Sequence, residues 1–320
     1  MEMQQDNSQV EDYIYQLTAS ADQEGAGNPL CFAARASGLF CSDNGGLHWR
    51  SAYDSLNLQS PIPTMAVAIP PDFEHDPLVL AGVGGGILRS IDRGQTWETI
   101  PLPPPPPIVS TLIFSPDYVQ DGIIFAGTME DGVLFSSDRG HSFASWNFGL
   151  LDLNILCLAI SPNFAEDEIL YAGTQSGIFR SSNGGRAWRD IELPFGFEAV
   201  ISLVLSPNFK KDRTVYAGTE TKGLWRTPDG GKTWEQLGQD SILDPINAIL
   251  LCPEYPTKSE LMVLHGGEVL SSVDDGKTWK EWKPELLSEN SVTAILAPQG
   301  IGVGYPVLVG LENGKIIQVK

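Results

Sequence analysis

Short apolar runs recur along the chain and are separated by clusters of turn residues. One kind of run is almost continuously apolar and ends in a polar turn, in Thr111–Asp121, Leu158–Asp167 and Leu203–Asp212. It is followed by an apolar strand, a Gly-containing turn and an alternating strand, in Phe125–Ser137, Tyr171–Ser182 and Tyr216–Pro228. Continuous apolar runs are typical of strands buried on both faces, and alternation is typical of half-buried strands. A fourth short strand follows, so each unit is predicted to contain four antiparallel strands.

An eight-residue motif, here called the box, lies between the third and fourth predicted strands of six units. The boxes are SDNGGLHW (Ser42–Trp49), SIDRGQTW (Ser90–Trp97), SSDRGHSF (Ser136–Phe143), SSNGGRAW (Ser181–Trp188), TPDGGKTW (Thr227–Trp234) and SVDDGKTW (Ser272–Trp279). Their final aromatic residues are 48, 46, 45, 46 and 45 positions apart. A period of this length is typical of one propeller blade.

A single four-stranded sheet cannot bury both of its faces, so the units must pack against one another. Arranging them around an axis buries the faces, and closing the ring protects the strand edges. The pattern S-x-D-x-G-x-T-W resembles the Asp box, or bacterial neuraminidase repeat, of sialidases, sortilin-type receptors, xyloglucanase-type glycosidases and photosystem II assembly-factor propellers. The resemblance covers nearly the whole chain. It implies an all-β fold class: a single β-propeller of seven blades, each with four antiparallel strands and Asp-box turns.

The repeats divide one domain, residues 1–320, into seven predicted blades. Their approximate bounds are 13–54, 62–101, 108–148, 154–194, 199–238, 245–284 and 291–320. The seventh unit contains three strand patterns and no box. Two arrangements remain open for it. Residues 1–12 supply a fourth strand that closes the ring, or the last blade is three-stranded and the N-terminal segment is a loose tail.

The box residues are predicted to have structural roles. The side-chain oxygen at the third position accepts hydrogen bonds from the N–H groups of the turn, in Asn44, Asp92, Asp138, Asn183, Asp229 and Asp274. Because asparagine substitutes for aspartate, metal ligation or catalysis at this position is disfavoured. The closing aromatic residues are expected to anchor the blade periphery, in Trp49, Trp97, Phe143, Trp188, Trp234 and Trp279. An aromatic platform for sugars is the functional alternative.

The links between blades are long and apolar, and they provide the candidate binding residues. In a propeller these links share one face with the turns between second and third strands. The partner-binding candidates are Tyr53, Phe148, Leu150, Leu151, Phe195 and Phe197. Two interpretations remain open. The apolar side chains plug the funnel at the axis, or they form an exposed apolar and acidic rim that docks a protein.

No catalytic constellation emerges from the sequence. The sialidases that the boxes resemble carry a Tyr nucleophile, two carboxylates, three arginines and an F/Y-R-I/L-P strand, and that strand motif is absent here. Arg89, Arg180 and Arg226 occupy one equivalent place before the box, which indicates packing or surface rather than a converging triad. Xyloglucanase-type enzymes use two carboxylates in a cleft between two propellers, and this chain is long enough for only one propeller. The link acids are Asp54, Asp152, Glu198, Asp240 and Asp244, and nothing singles out a pair.

Charge and composition narrow the partner classes. There are 40 acidic and 20 basic residues, and the net charge of −20 disfavours nucleic acid and anionic membranes. Asp72, Glu74 and Asp76 alternate like calcium ligands. The equivalent loops of the other blades have Val, Ala or Lys at the position of Glu74, so no metal or cofactor is expected. The N-terminal segment has no signal pattern and no membrane insertion is predicted.

The cysteines complete the expected picture. Cys31, Cys41, Cys157 and Cys252 have no CxxC spacing and are interpreted as reduced core thiols of a cytoplasmic protein. The predicted function is a non-catalytic protein-interaction scaffold or an assembly-factor-like binding propeller. The alternative is a glycoside hydrolase or carbohydrate-binding propeller.

Overall fold

The computed structural model describes residues 12–20, 28–239, 242, 245–287, 290–302 and 304–320. These residues form seven separate antiparallel sheets in chain order, which make one seven-bladed β-propeller. The predicted all-β fold class is therefore confirmed. Within the described ranges, six sheets have four strands and the seventh has three. Of the proposed closing segment, residues 1–11 lie outside the described residues.

The strands of every blade run in sequence from the inside of the ring to its outside. The innermost strands are β1 (Ile14–Ala19), β5 (Thr64–Ala68), β9 (Ile108–Phe114), β13 (Ile155–Ile160), β17 (Val200–Leu205), β21 (Ile246–Leu251) and β25 (Val292–Leu296). The second strands are β2 (Cys31–Arg35), β6 (Val79–Val83), β10 (Ile124–Met129), β14 (Leu170–Thr174), β18 (Val215–Thr219), β22 (Leu261–His265) and β26 (Val307–Leu311). Nearly all residues of the second strands are buried, because a blade covers each face.

In six of the blades the outer half carries the box between the third and fourth strands. The third strands are β3 (Gly38–Ser42), β7 (Gly86–Ser90), β11 (Val133–Ser136), β15 (Ile178–Ser181), β19 (Leu224–Thr227), β23 (Glu268–Ser272) and β27 (Ile316–Val319). The fourth strands are short: β4 (Arg50–Ser51), β8 (Glu98–Ile100), β12 (Ala144–Ser145), β16 (Arg189–Ile191), β20 (Glu235–Leu237) and β24 (Lys280–Glu281).

Among the described residues, helix is confined to single turns. The connections from first to second strand contain α1 (Tyr118–Asp121), α2 (Phe164–Asp167) and α3 (Phe209–Asp212). The links between blades contain the 3-10 turn Asp54–Leu56 and α4 (Pro284–Leu287). Each of α1 to α3 begins with a buried aromatic ring and ends with an aspartate that accepts a hydrogen bond from a serine before it, as in Asp121 with Ser115 at 2.6 Å.

The hydrophobic core is divided into seven clusters among the described residues, and each cluster lies between two adjacent blades. One of them joins the last blade to the first and includes Ile14 and Leu308. A Cβ on Gly310 would lie 3.0 Å from Ile14, and one on Gly46 would lie 2.6 Å from Leu308. The ring is therefore closed by tight contacts at both the inner strand and the box.

Candidate functional site

The box is a hydrogen-bonded turn that is built the same way in all six blades that carry it. In blade 3 the Ser136 hydroxyl donates to Asp138 Oδ1 at 2.7 Å and accepts the Gly140 N–H at 3.0 Å. Asp138 Oδ1 also accepts the Ser142 N–H at 3.0 Å. The side chain at the third box position thus replaces the backbone partners that a tight turn cannot supply.

The choice between aspartate and asparagine follows a hydroxyl four residues later. Asp92, Asp138, Asp229 and Asp274 each accept a second hydrogen bond on Oδ2, from Thr96, Ser142, Thr233 and Thr278 at 2.6 to 2.7 Å. Asn44 and Asn183 are followed instead by His48 and Ala187, and only their Oδ1 accepts from the turn. An amide nitrogen cannot accept a hydroxyl, so the charge is present where the second donor is present.

These hydrogen bonds favour the ionised aspartates. Partial desolvation raises the pKa of Asp138, but the hydroxyls of Ser142 and Ser136 and the turn N–H groups outweigh it and lower the pKa to about 2. The same balance lowers the pKa of Asp229 to about 2, and the Thr278 hydroxyl leads the lowering of the pKa of Asp274 to about 2. These carboxylates are therefore ionised and stabilise the box turn through their hydrogen bonds.

The closing aromatic residues lie on the preceding blade, but not all in the same way. Trp97 and Trp188 donate their indole N–H to carbonyls of the blade before, at Ala52 (2.7 Å) and Trp146 (2.8 Å). Trp49 and Trp279 donate within their own boxes. Phe143 and Trp188 are buried, whereas Trp49, Trp97, Trp234 and Trp279 are half-buried. The rings are therefore packed side chains and do not form an open platform.

The structure separates the six partner-binding candidates into three groups. Phe148, Leu151 and Phe197 are 80%, 82% and 91% exposed, and here they are called the exposed rim. Phe195 is half-buried against Trp225, with ring centroids 4.5 Å apart.

Tyr53 and Leu150 do not belong to the exposed surface, which corrects the prediction for these two residues. They are only 5% and 6% exposed. The Tyr53 hydroxyl hydrogen-bonds Thr64 Oγ1 at 2.9 Å and its ring meets Trp97 edge-on, so it fills the contact between blades 1 and 2. Leu150 fills the corresponding space between blades 3 and 4.

The link that carries Phe148 and Leu151 is held rigidly to both neighbouring blades. Asn147 accepts the Val133 N–H at 2.8 Å, and the Phe148 carbonyl accepts the Trp188 N–H at 2.8 Å. A Cβ on Gly149 would lie 2.3 Å from the Trp188 carbonyl oxygen, so the backbone approaches blade 4 as closely as a glycine permits. No repeated sequence pattern distinguishes Asn147; its role emerges from the position that it occupies between blades.

Leu151 and Phe197 come from different links but line one cavity of about 640 Å³. Ile178 and Leu193 also line it, and so do Asp190 and Glu192. An apolar surface that borders carboxylates is thus formed on blade 4 by the two links that flank it.

Two of the link acids are engaged in hydrogen bonds to neighbouring turns. Asp152 accepts the Asn154 N–H at 3.0 Å and both donors of Ser176 at 2.7 to 2.8 Å. Desolvation raises the pKa of Asp152, but these hydrogen bonds outweigh it and the pKa is lowered. Glu198 accepts the N–H and hydroxyl of Thr221. Asp54 lies in the 3-10 turn after blade 1, and Asp240 and Asp244 lie outside the described residues.

The three arginines before the boxes do not converge. Arg89 pairs with Glu98 at 2.5 Å and Arg226 with Glu235 at 2.6 Å, each on the fourth strand of its own blade. Arg180 has no such carboxylate among the described residues; it lies 6.0 Å from the centroid of the Tyr171 ring and interacts with the hydroxyl of that tyrosine.

Other candidate groups have local partners. Asp72 holds His75 at 2.7 Å and Asp76 holds Arg139 at 2.9 Å, and the described residues contain no cluster of three metal-ligating side chains. Burial raises the pKa of the Cys31 and Cys157 thiols to about 12. In the same described ranges, no helix has the length and apolar character needed to cross a bilayer.

Solved structures provide the comparisons. A GH74 xyloglucanase from Xanthomonas campestris superposes with a TM-score of 0.71 and 16% identity, over 96% of this chain and 51% of that one. YCF48 bound to a D1 peptide gives a TM-score of 0.68 and 16% identity, over 96% and 93% of the two chains. The extracellular domain of BT4673 from B. thetaiotaomicron gives 0.69 and 17%, over 97% of this chain.

The chain spans 38% of the BT4673 extracellular domain and about half of the xyloglucanase. Neither a protein-family model nor a curated protein sequence matches it. At identities of 16–17% the likeness extends to the fold alone: the chain is a seven-bladed β-propeller similar to those of an enzyme and of a peptide-binding protein.

Proposed function

We propose that this protein is a non-catalytic scaffold that docks a partner protein on the exposed rim. The observation that carries the proposal is the exposure of Phe148, Leu151 and Phe197, the first two on a link that is fixed to both neighbouring blades. Exposing three large apolar side chains on an ordered backbone is costly unless a partner covers them. The fixed backbone lowers the conformational entropy lost on binding.

The surroundings of the exposed rim indicate the chemistry of the partner. Asp190 and Glu192 border the cavity under Leu151 and Phe197, and the whole chain carries a net charge of −20. A partner segment with an apolar anchor and basic neighbours fits this surface. The likeness to YCF48, which was solved with a bound peptide, supports a peptide as the ligand of such a propeller.

A hydrolase is the alternative, and the site chemistry favours it less. Inverting and retaining glycosidases need two carboxylates that are free to transfer protons or attack. Asp152 and Glu198 instead accept hydrogen bonds from the turn residues Ser176 and Thr221. Turnover of xyloglucan oligosaccharides or aryl glycosides by the purified protein would contradict the scaffold proposal.

The docking test compares two triple variants of the full chain. Phe148→Ser, Leu151→Ser and Phe197→Ser together remove the exposed rim. Leu47→Ser, Ile91→Ser and Val273→Ser together remove three exposed apolar side chains from the boxes on the opposite face. Each variant is immobilised, and the proteins captured from a lysate of the source cells are quantified by mass spectrometry.

We expect the wild type and the box variant to capture the same protein and the rim variant to lose it. Equal capture by the rim variant and the wild type would refute docking at the exposed rim. Circular dichroism and thermal melts of both variants establish that each is folded before capture is compared.

A further inference from the structure

Blade 4 places two arginines directly opposite each other where blades 2 and 5 place an ion pair. Arg180 on β15 pairs in register with Arg189 on β16. The same register position holds Arg89 with Glu98 in blade 2 and Arg226 with Glu235 in blade 5. Like charges directly opposite on neighbouring strands are destabilising.

Arg180 also lacks the second partner that its counterpart has. Arg226 reaches across to the carboxylate of Asp275 in the next box, whereas the equivalent box residue beside Arg180 is Gly230. The Arg180 Nε is buried without a hydrogen-bond partner in the described part of the chain. The Nε of Arg89 is unpartnered too, but Glu98 contacts a terminal nitrogen of Arg89.

Both arginines line a cavity of about 760 Å³ between blades 4 and 5, on the box side of the ring. Two small residues leave room there: Gly230, and Ala187, which stands where four other boxes have a hydroxyl residue. Lys232 adds a third cation.

The remaining charges in the cavity are partly engaged elsewhere. Arg213 faces Asp167 at 3.8 Å. Both Asp229 oxygens accept hydrogen bonds from the box hydroxyls. Asp190 and Glu192 also line the cavity and form no ion pair within the described residues. Four cations and three carboxylates therefore line this cavity, in a molecule that is acidic overall.

We propose that this cavity binds a divalent phosphate-type oxyanion between Arg180 and Arg189, with Lys232 as a further contact. Two guanidinium groups present planar pairs of donors that match phosphate oxygens, and one dianion neutralises both. Ile169, Ile191 and Phe209 supply an apolar wall for the body of an organic phosphate. The site uses none of the exposed-rim residues, although Asp190 and Glu192 also line the cavity beside Leu151 and Phe197.

The matched variants follow from the other blades. Arg189→Glu restores the Arg–Glu pair of blades 2 and 5, so it removes the site without disturbing the fold. Arg50→Glu makes the same change of charge on the fourth strand of blade 1, where the opposite residue is Cys41. Thermal shift and calorimetric titration are run at constant ionic strength with inorganic phosphate, phenyl phosphate and benzoate as probes.

We expect phosphate to raise the Tm of the wild type and of Arg50→Glu, and to bind Arg189→Glu at least about tenfold more weakly. Tighter binding of phenyl phosphate assigns an organic phosphate, and equal binding assigns free phosphate. Equal responses of the wild type and Arg189→Glu would overturn the proposal, as would an equal loss in Arg50→Glu. Benzoate that binds as tightly as phosphate would overturn the divalent assignment.

Discussion

Replacing the box aspartate of blade 3 by the asparagine of blade 4 isolates a single hydrogen bond. Asp138→Asn keeps an Oδ1 acceptor for the Ser142 N–H, but its amide nitrogen cannot accept the Ser142 hydroxyl, which donates to Oδ2 at 2.6 Å. Losing one hydrogen bond on an exposed turn is expected to cost about 1 kcal/mol. For a chain of this size that lowers Tm by about 1–2 °C.

A double-mutant cycle separates this bond from other effects. Ser142→Ala removes the donor, and the double variant then carries the pair that blade 4 already has in Asn183 and Ala187. The second substitution should cost almost nothing once the first has been made, with a coupling energy of about 1 kcal/mol. Asn183→Asp is the control and should gain little stability, because Ala187 offers no hydroxyl. Strictly additive losses in thermal melts would refute the reasoning.

The stability difference between the wild type and Asp138→Asn is expected to depend on pH, with a definite sign. The pKa of Asp138 is about 2 in the folded protein and 3.8 in an unperturbed aspartate. Its stabilisation is therefore complete above the unfolded pKa and is lost as pH falls toward 2. Since asparagine does not titrate, the Tm difference between wild type and Asp138→Asn should shrink over this interval. A difference that stays constant down to pH 2 would contradict the assignment.

Two further predictions concern packing between blades. Gly46→Ala should destabilise the ring by about 1–3 kcal/mol more than Gly85→Ala in urea unfolding, because both glycines have φ near +90° but only Gly46 faces a close neighbour, Leu308. Equal losses would show that backbone strain alone is responsible. Trp188→Phe should cost about 1 kcal/mol through its lost hydrogen bond to the Trp146 carbonyl, and Trp188→Ala about 3–5 kcal/mol through the cavity left. Similar losses in the two variants would contradict the anchoring role of the ring.

The local patterns of the chain determined the blades and the box turns. Hydrophobic periodicity reports how many faces of a strand are covered, and six boxes at near-constant spacing determine where each outer hairpin turns. The box length also sets the register of the hairpin, so the residue nine positions after Arg180 had to face it. The pairs Arg89–Glu98 and Arg226–Glu235 have the same spacing, so the sequence already showed that Arg180 faces an arginine where these two blades have a glutamate.

Only the tertiary structure decided which link residues are exposed and where charges remain unpaired. Phe148 and Leu150 are both apolar, two residues apart, yet Leu150 fills a gap between blades while Phe148 faces solvent. The outcome depends on how the link backbone meets Trp188 of the next blade, a contact 40 residues away in the chain. Likewise Gly230 matters to Arg180 only because blade 5 packs beside blade 4. Burial and electrostatic pairing are sums over neighbours in space, and a propeller takes those neighbours from adjacent repeats.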